Sequence, residues 1–265
     1  MAVVLLASPT GSPGVTTTAL ALGLVWPRHS LVADCDRDPA QAIQAGYLRG
    51  MDHGGRGLMA LAQLHREGTP LAPELWRHTL PLAQGGDRER RFLPGFSTAG
   101  ASRLFEHVWG PLGEALASLD DRGIDVLIDG GRISSAGLPL GLLAAADAVV
   151  VCVRSSLRSL AAARIHLATL EEQLRSMPSP TMAGLAVVGP GRPYAAGEIA
   201  AQFGLPCWLE PSWDPRQAEV LSDGAVEPRR FHEGGFMGSF RADAKALSER
   251  VTRTRQAAAA VTVRA

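Results

Sequence analysis

The segment Ser8-Pro9-Thr10-Gly11-Ser12-Pro13-Gly14-Val15-Thr16-Thr17 places two glycines and a set of hydroxyls between an apolar run and a helical pattern. A turn of this kind leaves backbone N–H groups unpaired at a helix N-terminus, where the helix dipole adds positive potential. An anion held there gains roughly 0.3 to 2 kcal/mol with no cationic side chain. The chemistry expected is phosphate binding by Gly11, Ser12, Pro13, Gly14, Val15, Thr16 and Thr17. Four carboxylates fall at the C-terminal ends of apolar runs: Asp34, Asp36 and Asp38 after one, Asp129 after another. Open α/β sheets keep their sites at those ends, so the four are expected to share a polar cleft with the turn. A carboxylate cluster without a nearby lysine repels a bare phosphate group, so any phosphate ligand is expected to need Mg²⁺. Lysine is indeed scarce: Lys245 is the single one in the chain.

The elements that must position these residues follow from hydrophobic periodicity. Short apolar runs rich in β-branched residues cover 3–7, 30–33, 91–93, 126–128, 148–153, 184–188 and 206–209. Helical patterns cover 17–25, 39–46, 57–67, 73–78, 102–121, 138–145, 157–175, 195–203, 215–222 and 240–260. Alternation of the two predicts a doubly wound, mainly parallel sheet with helices on both faces. The Gly-rich stretches 50–57 and 83–90 read as surface loops. The 265 residues suit one large α/β domain over 1–238, closed by a C-terminal helix and tail over 239–265.

Composition narrows the function classes. Lys+Arg and Asp+Glu both total 26, and a neutral chain has no net charge to drive non-specific nucleic-acid binding. No uncharged run reaches the roughly 18 residues of a membrane span, and the apolar positions of 240–260 are mostly alanine, too small to anchor a helix in a bilayer surface. No basic segment precedes the first apolar run, so a cytoplasmic protein is expected. Cys35, Cys152 and Cys207 are odd in number and lie in or beside strand-like runs, as buried reduced thiols do. The seven histidines show no metal-ligand spacing.

The loop resembles the deviant Walker A motif of MinD/ParA-type P-loop ATPases, Lys-Gly-Gly-x-Gly-Lys-Thr-Thr, with Gly11, Gly14, Thr16 and Thr17 matching. Thr10 stands at the family's signature lysine, Ser12 at a glycine, and Val15 at the lysine that reaches the β- and γ-phosphates. Leu31-Val32-Ala33-Asp34-Cys35-Asp36-Arg37-Asp38-Pro39 is similar to the family's strand and switch I segment; its water-positioning aspartate falls on Asp36 by register or on Asp38 if Asp-Pro is the anchor. Val126-Leu127-Ile128-Asp129-Gly130-Gly131 resembles the Walker B strand. The resemblance thus implies ATP with Mg²⁺ as cofactor, with Thr16, Asp34 and Asp129 on the metal side. Pro211-Ser212-Trp213-Asp214-Pro215-Arg216 and Leu221-Ser222-Asp223-Gly224 are similar to the TadZ/CpaE-like pilus-positioning branch. Where the family places a base-contacting asparagine, this chain reads Val188-Gly189-Pro190-Gly191, which removes that basis for adenine selectivity.

Two functions follow from the resemblance. A fold kept around a loop without lysines implies a non-hydrolysing or weakly ATP-binding factor that localises or regulates a Tad-type pilus or secretion machine through protein partners. The alternative is a working MinD/ParA-like ATPase in chromosome or plasmid partitioning, its missing charge supplied by a partner or by an arginine such as Arg37, Arg132, Arg154 or Arg192. For each of these arginines a solvated surface role is the simpler reading. Family members dimerise across nucleotide through the signature lysine, so with Thr10 there a homodimer would have to rely on another surface. A Rossmann dehydrogenase is disfavoured, because Gly11 and Gly14 do not complete Gly-x-Gly-x-x-Gly.

Overall fold

The strands are buried on both faces because their residues alternate between two apolar layers. In β1 (Val3–Ser8), Val3, Leu5 and Ala7 face one cluster while Val4 and Leu6 face the other. The same burial holds along β5 (Ile124–Arg132) and β6 (Ala148–Arg154), as expected of parallel strands covered by helices on each side. The computed structural model describes residues 2–9, 14–83, 87–178 and 181–262.

Among the described residues the sheet has eight strands. Beside those three are β2 (His29–Asp34), β3 (Leu80–Pro81), β4 (Arg90–Leu93), β7 (Met182–Val188) and β8 (Cys207–Leu209). Their order is β3-β4-β2-β5-β1-β6-β7-β8, and every pairing is parallel except β3 against β4. The chain leaves β1 toward β2 on one side and later builds β6, β7 and β8 on the other. That reversal opens a crevice at the C-terminal edge, where doubly wound sheets bind ligands.

One face carries α1 (Val15–Val25), α8 (Pro215–Ser222), α9 (Gly235–Thr262) and a short π-helical turn at Ile43–Tyr47. The other face carries α2 (Leu58–Arg66), α3 (Leu71–Glu74), α4 (Trp109–Ala117), α5 (Leu140–Ala145), α6 (Leu157–Ser176) and α7 (Ala196–Phe203). Helix α1 is apolar around most of its circumference because it is sandwiched between the sheet and α9, which contributes Phe236, Met237, Phe240, Ala244, Leu247 and Val251 to the same core. The closing helix is therefore docked, not solvated. No helix among the described residues is long and apolar enough to cross a membrane.

The expected strands are all present, and four helical readings need correction, the pattern over 73–78 holding only the end of α3 and a 3₁₀ turn (Leu75–His78). The pattern over 102–121 is split into a 3₁₀ turn (Ala101–Phe105), α4 and a second 3₁₀ turn (Ser118–Arg122). Pro111 lies in the first turn of α4, where its missing N–H is tolerated but a continuous helix through the preceding residues is not. The pattern over 39–46 yields only the π-helical turn, and α9 begins at Gly235, ahead of the expected 240. The two-residue edge strand β3 is too short to leave a periodic signal.

Candidate functional site

The turn from β1 into α1 is set by Gly14, which caps the helix at φ +91°, a left-handed conformation open to glycine and costly for a side chain. The Gly14 carbonyl accepts the Thr18 N–H at 2.8 Å, so α1 starts at once after the glycine. Thr16 and Thr17 thereby sit in its first turn, at the C-terminal edge of the sheet. Gly11, Ser12 and Pro13, with Thr10, lie outside the described residues. Val15, which the resemblance of the loop aligns with a phosphate lysine, is 6% exposed and belongs to the core beneath α1.

Strands β2 and β5 bring the carboxylates together, since their register pairs Asp34 directly with Asp129. The Asp34 carboxylate accepts the Asp36 N–H at 3.3 Å, and the Cys35 N–H donates to the Asp129 carbonyl at 2.8 Å, so the backbone after β2 is tied across to β5. Gly95 closes over Asp34: a Cβ there would stand 2.6 Å from its carboxyl carbon. Burial, reinforced by the Asp129 charge, pushes Asp34 up to about 8 against the opposing Asp36 N–H. Burial likewise pushes Asp129 up to about 6, opposed by the Thr16 hydroxyl and the Gly131 N–H. Two buried carboxylates side by side cannot both carry charge cheaply, which is the signature of a site that expects a cation or a shared proton.

Asp129 is fully buried, its one oxygen accepts the Gly131 N–H at 3.0 Å, and its Oδ2 has no hydrogen-bond partner among the described residues. An unpartnered buried carboxylate oxygen beside a threonine hydroxyl is a donor set of hard oxygens, which suits Mg²⁺. Thr16 and Asp129 therefore fit the metal side of the site, with Asp34 behind them. No cluster of three or more His, Cys, Asp or Glu able to hold a metal by itself exists among the described residues, so such an ion would need oxygens from its ligand or water.

Asp36 and Asp38 lie further out and line a cavity of about 560 Å³, with Asp36 still close enough for its charge to act on both Asp34 and Asp129. The Asp36 carboxylate accepts the Asp38 N–H at 2.9 Å and lies against Gly131, whose φ of +61° and lack of Cβ make room for it. Burial raises the Asp36 pKa, while the Asp38 N–H and the charges of Arg132 and Arg37 oppose the rise. Both candidates for the switch aspartate thus border the same cavity, with Asp36 the more enclosed.

The remaining walls come from Gly14 to Thr18, from Arg132 and Arg154 at the ends of β5 and β6, from the Pro211–Pro215 loop, and from Phe236 and Phe240 of α9. Asp214 caps α8 by accepting the Gln217 N–H at 3.1 Å, with Pro215 in the first turn, so its role is structural. Of the four arginines considered from sequence, two reach the cavity. Arg37 instead turns to the Ser134 hydroxyl and the Gly137 carbonyl, and Arg192 is exposed in the turn after β7. Arg132 is exposed at the rim, but Arg154 is not a solvated surface residue: its Nε is buried, and its guanidinium lies over the Trp213 ring at 5.0 Å from the centroid. Of the aromatic wall from α9, Phe240 opens the pattern that reads as helix, while Phe236 lies before it and had no signal in the sequence.

The fold is that of the MinD/ParA ATPases. A ParA family ATPase from Chlorobium tepidum TLS superimposes with a TM-score of 0.69 at 14% identity, over 92% of this chain and 98% of that one. MinD of Pyrococcus horikoshii OT3, in complex with Mg-ADP, gives 0.63 at 17% identity over 93% and 95%. The Aquifex aeolicus MinC:MinD cell division complex gives 0.69 at 13% identity over 94% and 96%. No protein-family model and no curated protein matches the sequence.

Proposed function

We propose that this chain is a cytoplasmic nucleotide-binding protein that binds Mg²⁺-ATP weakly, does not turn it over, and acts by localising or regulating a larger assembly. The observation that carries this reading is the state of the site: the cavity, Thr16 and the orphaned Asp129 oxygen are in place, while Val15 is packed into the core where an active loop holds its lysine. Phosphoryl transfer depends almost wholly on charge stabilisation at the γ-phosphate, and losing one charge-assisted hydrogen bond weakens binding by roughly ten- to a hundredfold. Cellular ATP at millimolar levels still fills a site of that strength. The 211–224 segment, similar to the TadZ/CpaE-like branch, points to a Tad-type pilus or secretion machine as the assembly. Binding to a protein partner is in keeping with the MinC:MinD complex among the similar structures.

Calorimetry of the purified chain with ATP and ADP, in Mg²⁺ and in EDTA, tests the reading beside a Gly14→Val variant. Saturable Mg²⁺-dependent binding, lost in the variant, is expected; equal affinity in EDTA would remove the metal from the proposal. Affinity purification from the native host is expected to recover a pilus or secretion component, and its absence counts against that assignment. A working ATPase is the second reading, favoured by the two arginines at the cavity. Phosphate release above a Thr16→Ala control would establish it instead.

A further inference from the structure

We infer that Arg154 is the cationic ligand for the phosphates of the bound nucleotide, taking over from the absent loop lysine through a guanidinium held against Trp213. The inference rests on the nucleotide-binding reading above and adds the residue that makes it chemically workable.

Arg154 ends β6, the strand next to β1, and its register partner is Val188 on β7. Its backbone N–H is fixed by the Ser159 hydroxyl at 3.0 Å, so the base of the side chain is held. The guanidinium then lies over the Trp213 ring in the wall of the cavity that Gly14 to Thr18 also line. Its Nε is buried with no hydrogen-bond partner, and among the described residues the guanidinium forms neither a hydrogen bond nor an ion pair. This is an unusual condition for arginine. A buried donor left unmet costs free energy, and stacking satisfies the face of a guanidinium but none of its in-plane N–H groups.

Of the other charged groups of the wall, Asp214 caps α8, Asp36 accepts the Asp38 N–H and the exposed Arg132 acts on Asp36, while Asp38 and Glu219 add two further carboxylates that a phosphate ligand must offset with Mg²⁺. Of the two arginines in this wall, Arg154 is the more enclosed, its guanidinium without a hydrogen-bond or ion-pair partner among the described residues, and its planar fork matches two phosphate oxygens at once. The first-turn N–H groups of α1, an eleven-residue helix, border the same space and supply the remaining donors. A volume of about 560 Å³ lies within the range of cofactor-sized sites.

The test compares the full-length chain with Arg154→Gln and Arg154→Lys, titrated with Mg²⁺-ATP and with Mg²⁺-pyrophosphate by calorimetry, while Trp emission is followed. Arg154→Gln is expected to weaken both ligands about ten- to a hundredfold, the factor of a charge-assisted hydrogen bond, and Arg154→Lys to fall between it and the parent. Unchanged Tm values in the variants show that the fold is kept; should Arg154→Gln unfold, Arg154→Lys decides the matter alone by whether its affinity drops. ATP binding within about twofold of the parent in both variants would overturn the inference and leave the nucleotide site standing. A loss for ATP with none for pyrophosphate would place Arg154 on the base and overturn it too. If the parent chain binds neither ligand at millimolar concentration, the nucleotide reading itself fails and this inference with it.

Discussion

Val15 is the residue on which the proposed loss of phosphate charge turns, and its surroundings offer a direct test. Its isopropyl group packs into the core under α1 yet borders the cavity, so a longer side chain starting there has an open way out. Val15→Lys is expected to raise Mg²⁺-ATP affinity by about ten- to a hundredfold and to lower stability by roughly 1–2 kcal/mol through lost apolar burial. Calorimetry and urea unfolding measure the two effects; a variant that loses stability with no gain in affinity would mean that the ammonium cannot reach the ligand. Gly131 shows the opposite constraint, since a methyl group there would run into the Asp36 carboxylate while its φ of +61° already excludes ordinary side chains. Gly131→Ala is expected to cost about 1–2 kcal/mol for the backbone alone and to displace Asp36 from the cavity wall. Chemical denaturation checks the first effect, and an unshifted unfolding midpoint would refute it. The placement of Gly14, Thr16, Thr17, Asp34 and Asp129 at the C-terminal edge of the sheet was legible in the sequence, because each lies at a fixed offset from a strand or helix end. The Arg154–Trp213 stack was not, because one half ends β6, the other lies in the loop before α8, and no local spacing links them.

At the scale of elements, α9 illustrates both what periodicity reveals and where it stops. The helix is readable from its polar and alanine-rich face, but its docking depends on Phe236, Met237 and Phe240 meeting α1 and the β8 side of the sheet, a tertiary fact. The strands were readable because continuous apolar runs of this length mark a sheet covered on both faces. Helix α4 was over-read because hydrophobic spacing carries across a break that Gly110 and Pro111 impose on the backbone. Among the polar ties of α9 to the sheet, the Asp243 carboxylate accepts the Glu210 N–H at 3.0 Å just after β8. Burial, with the charge of Glu210 adding to it, raises the Asp243 pKa to about 6, and the Glu210 N–H opposes the rise. A carboxyl whose folded pKa lies above its unfolded value binds its proton more tightly when folded. Its contribution is therefore complete below about pH 4 and is lost as pH rises through 6. Asp243→Asn keeps an acceptor for the Glu210 N–H and removes the titration. Stability measured by denaturation from pH 4 to pH 7 is expected to decline less steeply in the variant than in the parent, and identical slopes would show that Asp243 does not titrate in this range.

At the scale of the whole molecule, the site is where the two halves of the sheet meet. Backbone N–H groups come from the turn into α1, carboxylates from β2 and β5, Arg154 from β6, and the aromatic wall from the loop before α8 and from α9. A ligand there contacts elements on both sides of the central strand, and such contacts exist only when the sheet is assembled. Binding must then stabilise the native state by mass action, whatever the ligand's effect on any single helix. For a site of roughly millimolar affinity, a tenfold excess of Mg²⁺-ATP adds about 1.4 kcal/mol, which for a chain of this size corresponds to a Tm rise of about 3–5 °C. The same rise is expected for ADP if recognition stops at the first two phosphates, and Gly14→Val should abolish it for both by distorting the turn. Differential scanning calorimetry over an ATP series in constant Mg²⁺ makes the measurement: Tm should climb with the logarithm of ligand concentration once the site is half filled. A flat series at concentrations well above millimolar would mean that the cavity does not take nucleotide, and that the crevice at the strand switch persists for what it presents to a protein partner.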